Sequence, residues 1–238
     1  MAILIAVAHA DDETLGCFSI LRENREEVHI LHATDSAPRD LQYAIRSGFA
    51  TRESYLAARR AETMAVLAKA GIPEERYHCL GFADQEAPVY WPRVRAFVEA
   101  FGATRVYTHA YEGGHPDHDA LALALAGLPG LWEFPLYHGY GGEFVPHSFL
   151  DGEAERVVEL DEAARQGKRE WLDAFVSQQR VIGMFPVDRE LYRPARTYDF
   201  TRPPHQGELY YERRKLGWTW AEWREATERA ALGVGGSA

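Results

Sequence analysis

Residues 3–13, Ile3-Leu4-Ile5-Ala6-Val7-Ala8-His9-Ala10-Asp11-Asp12-Glu13, join an uninterrupted apolar run to a histidine and three carboxylates. Six apolar residues in a row fit a buried strand, and Thr14 to Leu21 that follow have apolar positions at helical spacing. The polar cluster therefore occupies a strand-to-helix turn at the carboxyl edge of a sheet, where ligand sites of open α/β sheets lie. One imidazole and three carboxylates in so short a turn repel one another unless a cation or a helix N-terminus offsets the charge. A divalent metal is the direct candidate. The plainer alternative is that Asp11 or Asp12 caps the helix while His9 is solvated.

A second cluster weighs against that alternative. Gly113-Gly114-His115-Pro116-Asp117-His118-Asp119 follows a strand at Arg105 to His109 and runs into Ala120 to Ala126, helical by composition. Pro116 suits a helix start, where its missing N–H would have been unpaired anyway. Two strand-end turns of this kind converge if their strands are close in the sheet, and a His, Asp, His set with water in the remaining position suits a catalytic zinc.

Between the clusters the chain alternates. Val28 to Ala33 reads as a strand broken by turn formers at 34–40, and Thr51 to Ala70 as a helix stopped by Gly71 and Pro73. Tyr77 to Leu80 reads as a short strand ending in Gly81, followed by a polar loop at 82–86, and Trp91 to Phe101 as a helix. This order predicts an α/β fold, a mostly parallel sheet with helices on both faces. There is no G-x-G-x-x-G after the first strand, no phosphate-binding G-x-x-x-x-G-K-[ST] and no G-x-S-x-G, which argues against nicotinamide, nucleotide and serine-hydrolase chemistry. On the helix from Thr51, Arg59 and Glu62 lie one turn apart and by themselves read as a surface ion pair worth about 0.5 kcal/mol or less.

The length of 238 residues suits a single domain, and 46% hydrophobic content supports a packed core. A net charge of −10 without a run of Lys and Arg disfavours nucleic acid or an anionic membrane as partner. No apolar stretch reaches the length of a membrane span or a signal-peptide core, so a cytoplasmic, soluble protein is expected. Cys17 and Cys79 read as buried small hydrophobes.

His9-Ala10-Asp11-Asp12-Glu13 together with His115-Pro116-Asp117-His118 resembles the two-part signature of the LmbE-like, or PIG-L, deacetylases. The resemblance covers about the first 150 residues in motif and element order. It implies a Rossmann-like fold, one Zn2+ per chain, and hydrolysis of an N-acyl group, commonly acetyl, from an N-acetylglucosamine-like conjugate. Carried over by position, it implies His9, Asp12 and His118 as metal ligands, Asp11 as general base and His115 facing the oxyanion. Asp117 would orient a neighbouring histidine, and Arg59, with Glu62, and Asp84 match further family positions, expected to meet substrate. Two departures stand out: Ala10 where the family usually has proline, and Gly113 where some members carry tyrosine. The competing reading is a non-catalytic sugar- or metabolite-binding module with a structural metal, and Asp11 separates the two, because a binding module needs no free carboxylate beside its metal. Other divalent transition metals remain open as occupants, and so does a homo-oligomer.

Beyond about residue 130 the elements read as pocket and C-terminal parts of the same domain. Phe134 to Phe144 mixes aromatics and glycines as a substrate-contacting loop would. Arg156 to Leu160 reads as an edge strand, Asp161 as the cap of a helix to about Val176, and 183–204 as irregular structure that could form the far wall of the pocket. Thr219 and Glu222 form a capping box, and Gly233 to Ala238 reads as a flexible tail.

Overall fold

The computed structural model describes residues 2–233, so the tail expected from Gly233 lies, beyond that glycine, outside the described residues. In chain order the elements are β1 (Ile3–Val7), α1 (Asp12–Glu23), β2 (Val28–Pro38), α2 (Leu41–Arg46), α3 (Arg52–Ala70), β3 (Tyr77–Asp84), α4 (Ala87–Phe101), β4 (Arg105–His109) and α5 (Pro116–Leu125). They continue as β5 (Leu131–Phe134), the short β6 (Tyr137–His138) and β7 (Val145–Pro146), β8 (Arg156–Glu159), α6 (Glu162–Leu172), α7 (Gln179–Ile182), β9 (Arg189–Pro194), α8 (Tyr210–Arg213) and α9 (Trp220–Ala231).

A seven-stranded sheet has the order β3-β2-β1-β4-β5-β9-β8. The first five strands are parallel, whereas β9 runs antiparallel to both β5 and β8. Strand β1 is buried throughout, and its side chains alternate between two cores. Ile3, Ile5 and Val7 pack with Leu15, Ile20, Val66 and Leu67 of α1 and α3, while Leu4, Ala6 and Ala8 pack with Val94, Val98 and Leu121 of α4 and α5 and with Trp223 of α9. Because β1 and β4 are neighbours, the turns that follow them open side by side at one sheet edge.

Several expectations need correction. Strand β2 does not end at Ala33 but runs to Pro38, because irregular register against β3, Thr34 to Phe82 and then Pro38 to Asp84, absorbs its turn formers as a bulge. Helix α4 starts at Ala87 rather than Trp91, with Pro88 in its first turn. Helix α6 keeps its Asp161 cap but stops at Leu172. The segment 183–204 is not wholly irregular, since β9 lies within it. Glu190 and Arg193 on that strand are buried because Lys168 and Glu133 pair with them, at 2.8 and 2.7 Å. Cys79 is exposed, whereas Cys17 is buried as expected. No helix among the described residues is long and apolar enough to cross a membrane.

Candidate active site

Local backbone geometry turns the end of β1 into a rigid elbow. Thr34 on the bulge of β2 donates from N and Oγ1 to the Ala8 carbonyl, and the Ala10 N–H donates to Ser36 Oγ at 2.8 Å. Asp11 has φ 96°, a left-handed conformation that a non-glycine residue adopts only when its surroundings impose it. One constraint is Glu13, whose Oε2 accepts both the Asp11 N–H and the ring N–H of His32, at 3.1 Å each. Tyr77 Oη contacts the other nitrogen of His32 at 3.2 Å, so β2 and β3 together hold the turn. Asp12, at the start of α1, accepts the His9 N–H at 2.8 Å.

The second turn meets the first. Oδ2 of Asp12 lies 3.3 Å from His9 Nδ1 and 3.4 Å from His118 Nε2. His118 Nε2 is buried without a hydrogen-bond partner, a state that a neutral imidazole lone pair tolerates when it faces a cation. Burial, with His109 alongside, pushes His118 down to about 3, so it is a neutral donor at pH 7. Asp117 is fully enclosed. Its oxygens accept from Gln85 N, Ala87 N and the Nε2 side of His9, at 2.7, 3.0 and 2.9 Å, which leaves the Nδ1 side of His9 toward Asp12. Burial opposes a charge on His9, yet Asp84, Asp117 and Asp12 outweigh it and raise the imidazole well above its ordinary value. Carboxylates that draw a proton onto a buried ring would equally be satisfied by a bound cation.

Histidine and carboxylate donors lie within 4.8 Å of one another in three overlapping sets among the described residues: His9, His115 and His118; His9, Asp84, His115 and Asp117; and Asp12, His109 and His118. The expected trio of His9, Asp12 and His118 is joined through Asp12 and spans the first and third of these. His109, which sequence reading placed only as the end of a strand, stacks on His118 at 3.9 Å. Its Nε2 accepts the Ala8 N–H at 3.1 Å, so that lone pair is engaged in tying β4 to β1. His115 caps α5 through Nδ1, which accepts the Asp117 N–H and leaves the proton of the neutral ring on Nε2. Burial and the neighbouring His9 push His115 down to about 3. A protonated His115 is therefore not what the site holds; it offers a neutral N–H, 3.6 Å from Asp84.

Arg59 and Glu62 are buried, so a surface ion pair is the wrong description. Arg59 Nη2 donates to Ala10 O at 2.5 Å and to Asp11 Oδ2 at 3.1 Å, while Nη1 reaches Glu62 at 3.2 Å. Glu62 in turn accepts from the backbone and hydroxyl of Ser177. Burial pushes the Asp11 carboxyl up to about 7, against the pull of Arg59. His9, Asp11, Asp12, Arg59, Asp84, His115 and His118 all line one cavity of about 660 Å3, within the size range of small-molecule sites. Tyr137 and Phe144 from the aromatic-glycine stretch, Phe185 and Tyr210 form its apolar wall, in ring contact at 5.3 to 5.5 Å. Tyr210 lay outside every motif.

Residues 4–127, just over half of the chain, match the profile of the PIG-L family, described as GlcNAc-PI de-N-acetylase. The chain belongs to the PIG-L family. No curated protein sequence matches it. Among solved structures it resembles the zinc-inhibited form of teicoplanin deacetylase Orf2, at 16% identity over 77% of this chain and 86% of that one, TM-score 0.58. It also resembles the N,N'-diacetylchitobiose deacetylase of Pyrococcus horikoshii, at 13% identity over 81% and 82%, TM-score 0.54. GalB, the 4-carboxy-2-hydroxymuconate hydratase of Pseudomonas putida, is similar at 16% identity over 84% and 99%, TM-score 0.52. At these identities the likeness is one of fold.

The two departures from the PIG-L signature have structural counterparts here. Proline at position 10 would lack the N–H that Ala10 gives to Ser36, so a hydrogen bond tethers the elbow in this chain. Tyr111 does not replace the missing tyrosine of position 113. Its hydroxyl donates to Arg202 O, away from the cavity. Tyr137 instead approaches the second turn, its ring 5.5 Å from that of His118, and its carbonyl would lie 2.1 Å from a Cβ on Gly114.

Proposed function

We propose that this PIG-L protein is a zinc-dependent N-deacetylase acting on an N-acetylated amino-sugar conjugate. The observation that carries the reading is Asp11, a buried carboxyl group beside the candidate metal donors, fixed by Arg59 on one oxygen only and lining the same cavity. A binding module with a structural metal has no use for it. His9, Asp12 and His118 would hold the ion, and two imidazoles with one carboxylate favour zinc over magnesium. Such an ion lowers the pKa of a bound water to about 7 and polarises a carbonyl.

The remaining steps fall to side chains. Asp11 takes the proton of the attacking water at Oδ1, since Oδ2 is engaged by Arg59. The Nε2–H of His115 donates to the developing oxyanion, and loss of one such donor typically costs about 3 kcal/mol. Asp117, buried and saturated with hydrogen bonds, keeps His9 in one orientation. In this proposal Asp11, carrying the proton it took up, returns it to the leaving amine. Arg59 acts through Asp11 in this scheme, while Asp84, whose carboxylate lies in the cavity and is held at about 2, against the effect of burial, chiefly by His9, is a candidate for contact with substrate. The test is free-amine release from N-acetylglucosamine conjugates together with elemental analysis. We expect about one zinc per chain in the wild type and none in His118→Ala; a metal-free protein, even after zinc is supplied, would sink the reading.

A further inference from the structure

The cavity is segregated by charge. Its carboxylates, Asp11, Asp12 and Asp84, sit with the histidines at the floor, and Arg59 beside them is already bound to Asp11. Three further arginines line it: Arg46 in the last turn of α2, Arg180 in α7 and Arg214 just after α8. All three are exposed, which puts them at the mouth. Among the described residues no carboxylate pairs with any of them, and Arg214 has only the ring of Tyr210 beside it, at 6.0 Å. Elsewhere on this acidic surface arginines do find partners, as in Arg60–Glu74, Arg95–Glu99 and Arg224–Glu228. Three guanidinium groups from three separate segments therefore border one opening with no protein anion to satisfy them.

Arg presents a planar fork of donors matched to carboxylate and phosphate oxygens. A cleft with low-dielectric walls concentrates the field of such groups at its entrance. We infer that the mouth, through Arg46, Arg180 and Arg214, binds an anionic group, a phosphate or carboxylate, carried by the part of the substrate that stays outside while the amide reaches the floor. This rests on the deacetylase reading only for what occupies the floor. The specificity it adds separates charged conjugates from neutral N-acetyl sugars, which the residues of the two motifs do not address. The exposed apolar side chains of Val181 and Met184 also line the cavity, so the same anion could belong to a soluble sugar phosphate or to a lipid.

The test is calorimetric binding to the full-length zinc-loaded protein, with methyl N-acetylglucosaminide as the neutral probe and the 1- and 6-phosphates of N-acetylglucosamine as anionic ones. A phosphate binding at least tenfold tighter than the neutral glycoside at low salt is expected. That preference should shrink at 0.5 M salt. It should also vanish in the triple variant Arg46→Gln/Arg180→Gln/Arg214→Gln. Sedimentation with phosphatidylglycerol but not phosphatidylcholine vesicles, lost in the same variant, would support the site with a lipid-borne anion. Equal affinity for neutral and phosphorylated sugars together with no vesicle binding overturns the proposal, as does a preference that survives the triple variant. Amine release is scored separately: anion preference without hydrolysis of any N-acetyl sugar would remove the deacetylase reading and leave the anion site standing.

Discussion

Asp11 combines two things that seldom coincide without a purpose, a left-handed backbone and a buried acid group. Asp11→Asn preserves shape and the Arg59 contact but cannot accept a proton. We expect it to retain zinc and to lose amide hydrolysis by about a hundredfold or more, read from kcat with metal content measured in parallel. Full turnover would dismiss Asp11 as the base. His147 offers a test away from the site. Burial, reinforced by Lys168 and Arg189, drives its imidazole well below the ordinary value, so it is neutral in the fold. Its contribution to stability is complete above the unfolded value near 6.5 and is lost as pH falls, because only the unfolded chain then takes up the proton. His147→Asn suits the φ of 47° and cannot titrate. Between pH 7.5 and pH 5 the stability difference should shift toward the variant, by up to about 1.4 kcal/mol per pH unit below pH 6. A difference independent of pH in thermal melts would refute this.

Helix α1 is broken at Cys17, where φ is −135°, and the break frees the N–H groups of Phe18 and Ser19. Glu190 of β9 accepts both at 2.9 Å, with Lys168 and the Tyr192 hydroxyl completing its partners at 2.8 Å. Removing one member of such a buried cluster strands the others. Glu190→Ala should therefore cost about 3–5 kcal/mol in urea unfolding, and Lys168→Met/Glu190→Gln should cost less than the sum of its single changes. The same helix leans on Phe134 through Gly16, where an added Cβ would lie 2.2 Å from the ring. Gly16→Ala is expected to destabilise by about 1–3 kcal/mol despite the helical preference of alanine, with melting temperature as the check. None of this was legible locally. Glu190 lies 171 residues from Ser19, and Arg189 to Pro194 reads Arg-Glu-Leu-Tyr-Arg-Pro, a charge-rich stretch ending in proline that looks like surface until Lys168 and Glu133 are in place.

Across the whole molecule, the two candidate metal-binding turns were readable because each sets a polar cluster soon after a strand, within about fifteen residues, so no long-range information was needed. Their convergence required only that β1 and β4 be neighbours, which a parallel α/β order favours. The mouth was not readable. Arg46, Arg180 and Arg214 come from three distant segments without a motif, and only the folded chain brings them to one opening. If the ion joins the two turns, it binds the native state far better than the unfolded chain. Chelation should then lower the melting temperature by several degrees and zinc should restore it, whereas a midpoint unmoved by either treatment would mean the ion does not bridge them. The capping of α1 by Glu190 also has a consequence for synthesis. On the ribosome both candidate metal-binding turns have emerged once residue 119 is free, yet the carboxylate that completes the helix bearing Asp12 is still unmade. The nascent chain thus carries every candidate metal donor 71 residues before the carboxylate that completes this helix is made, and tight loading is expected only after residue 190 has emerged.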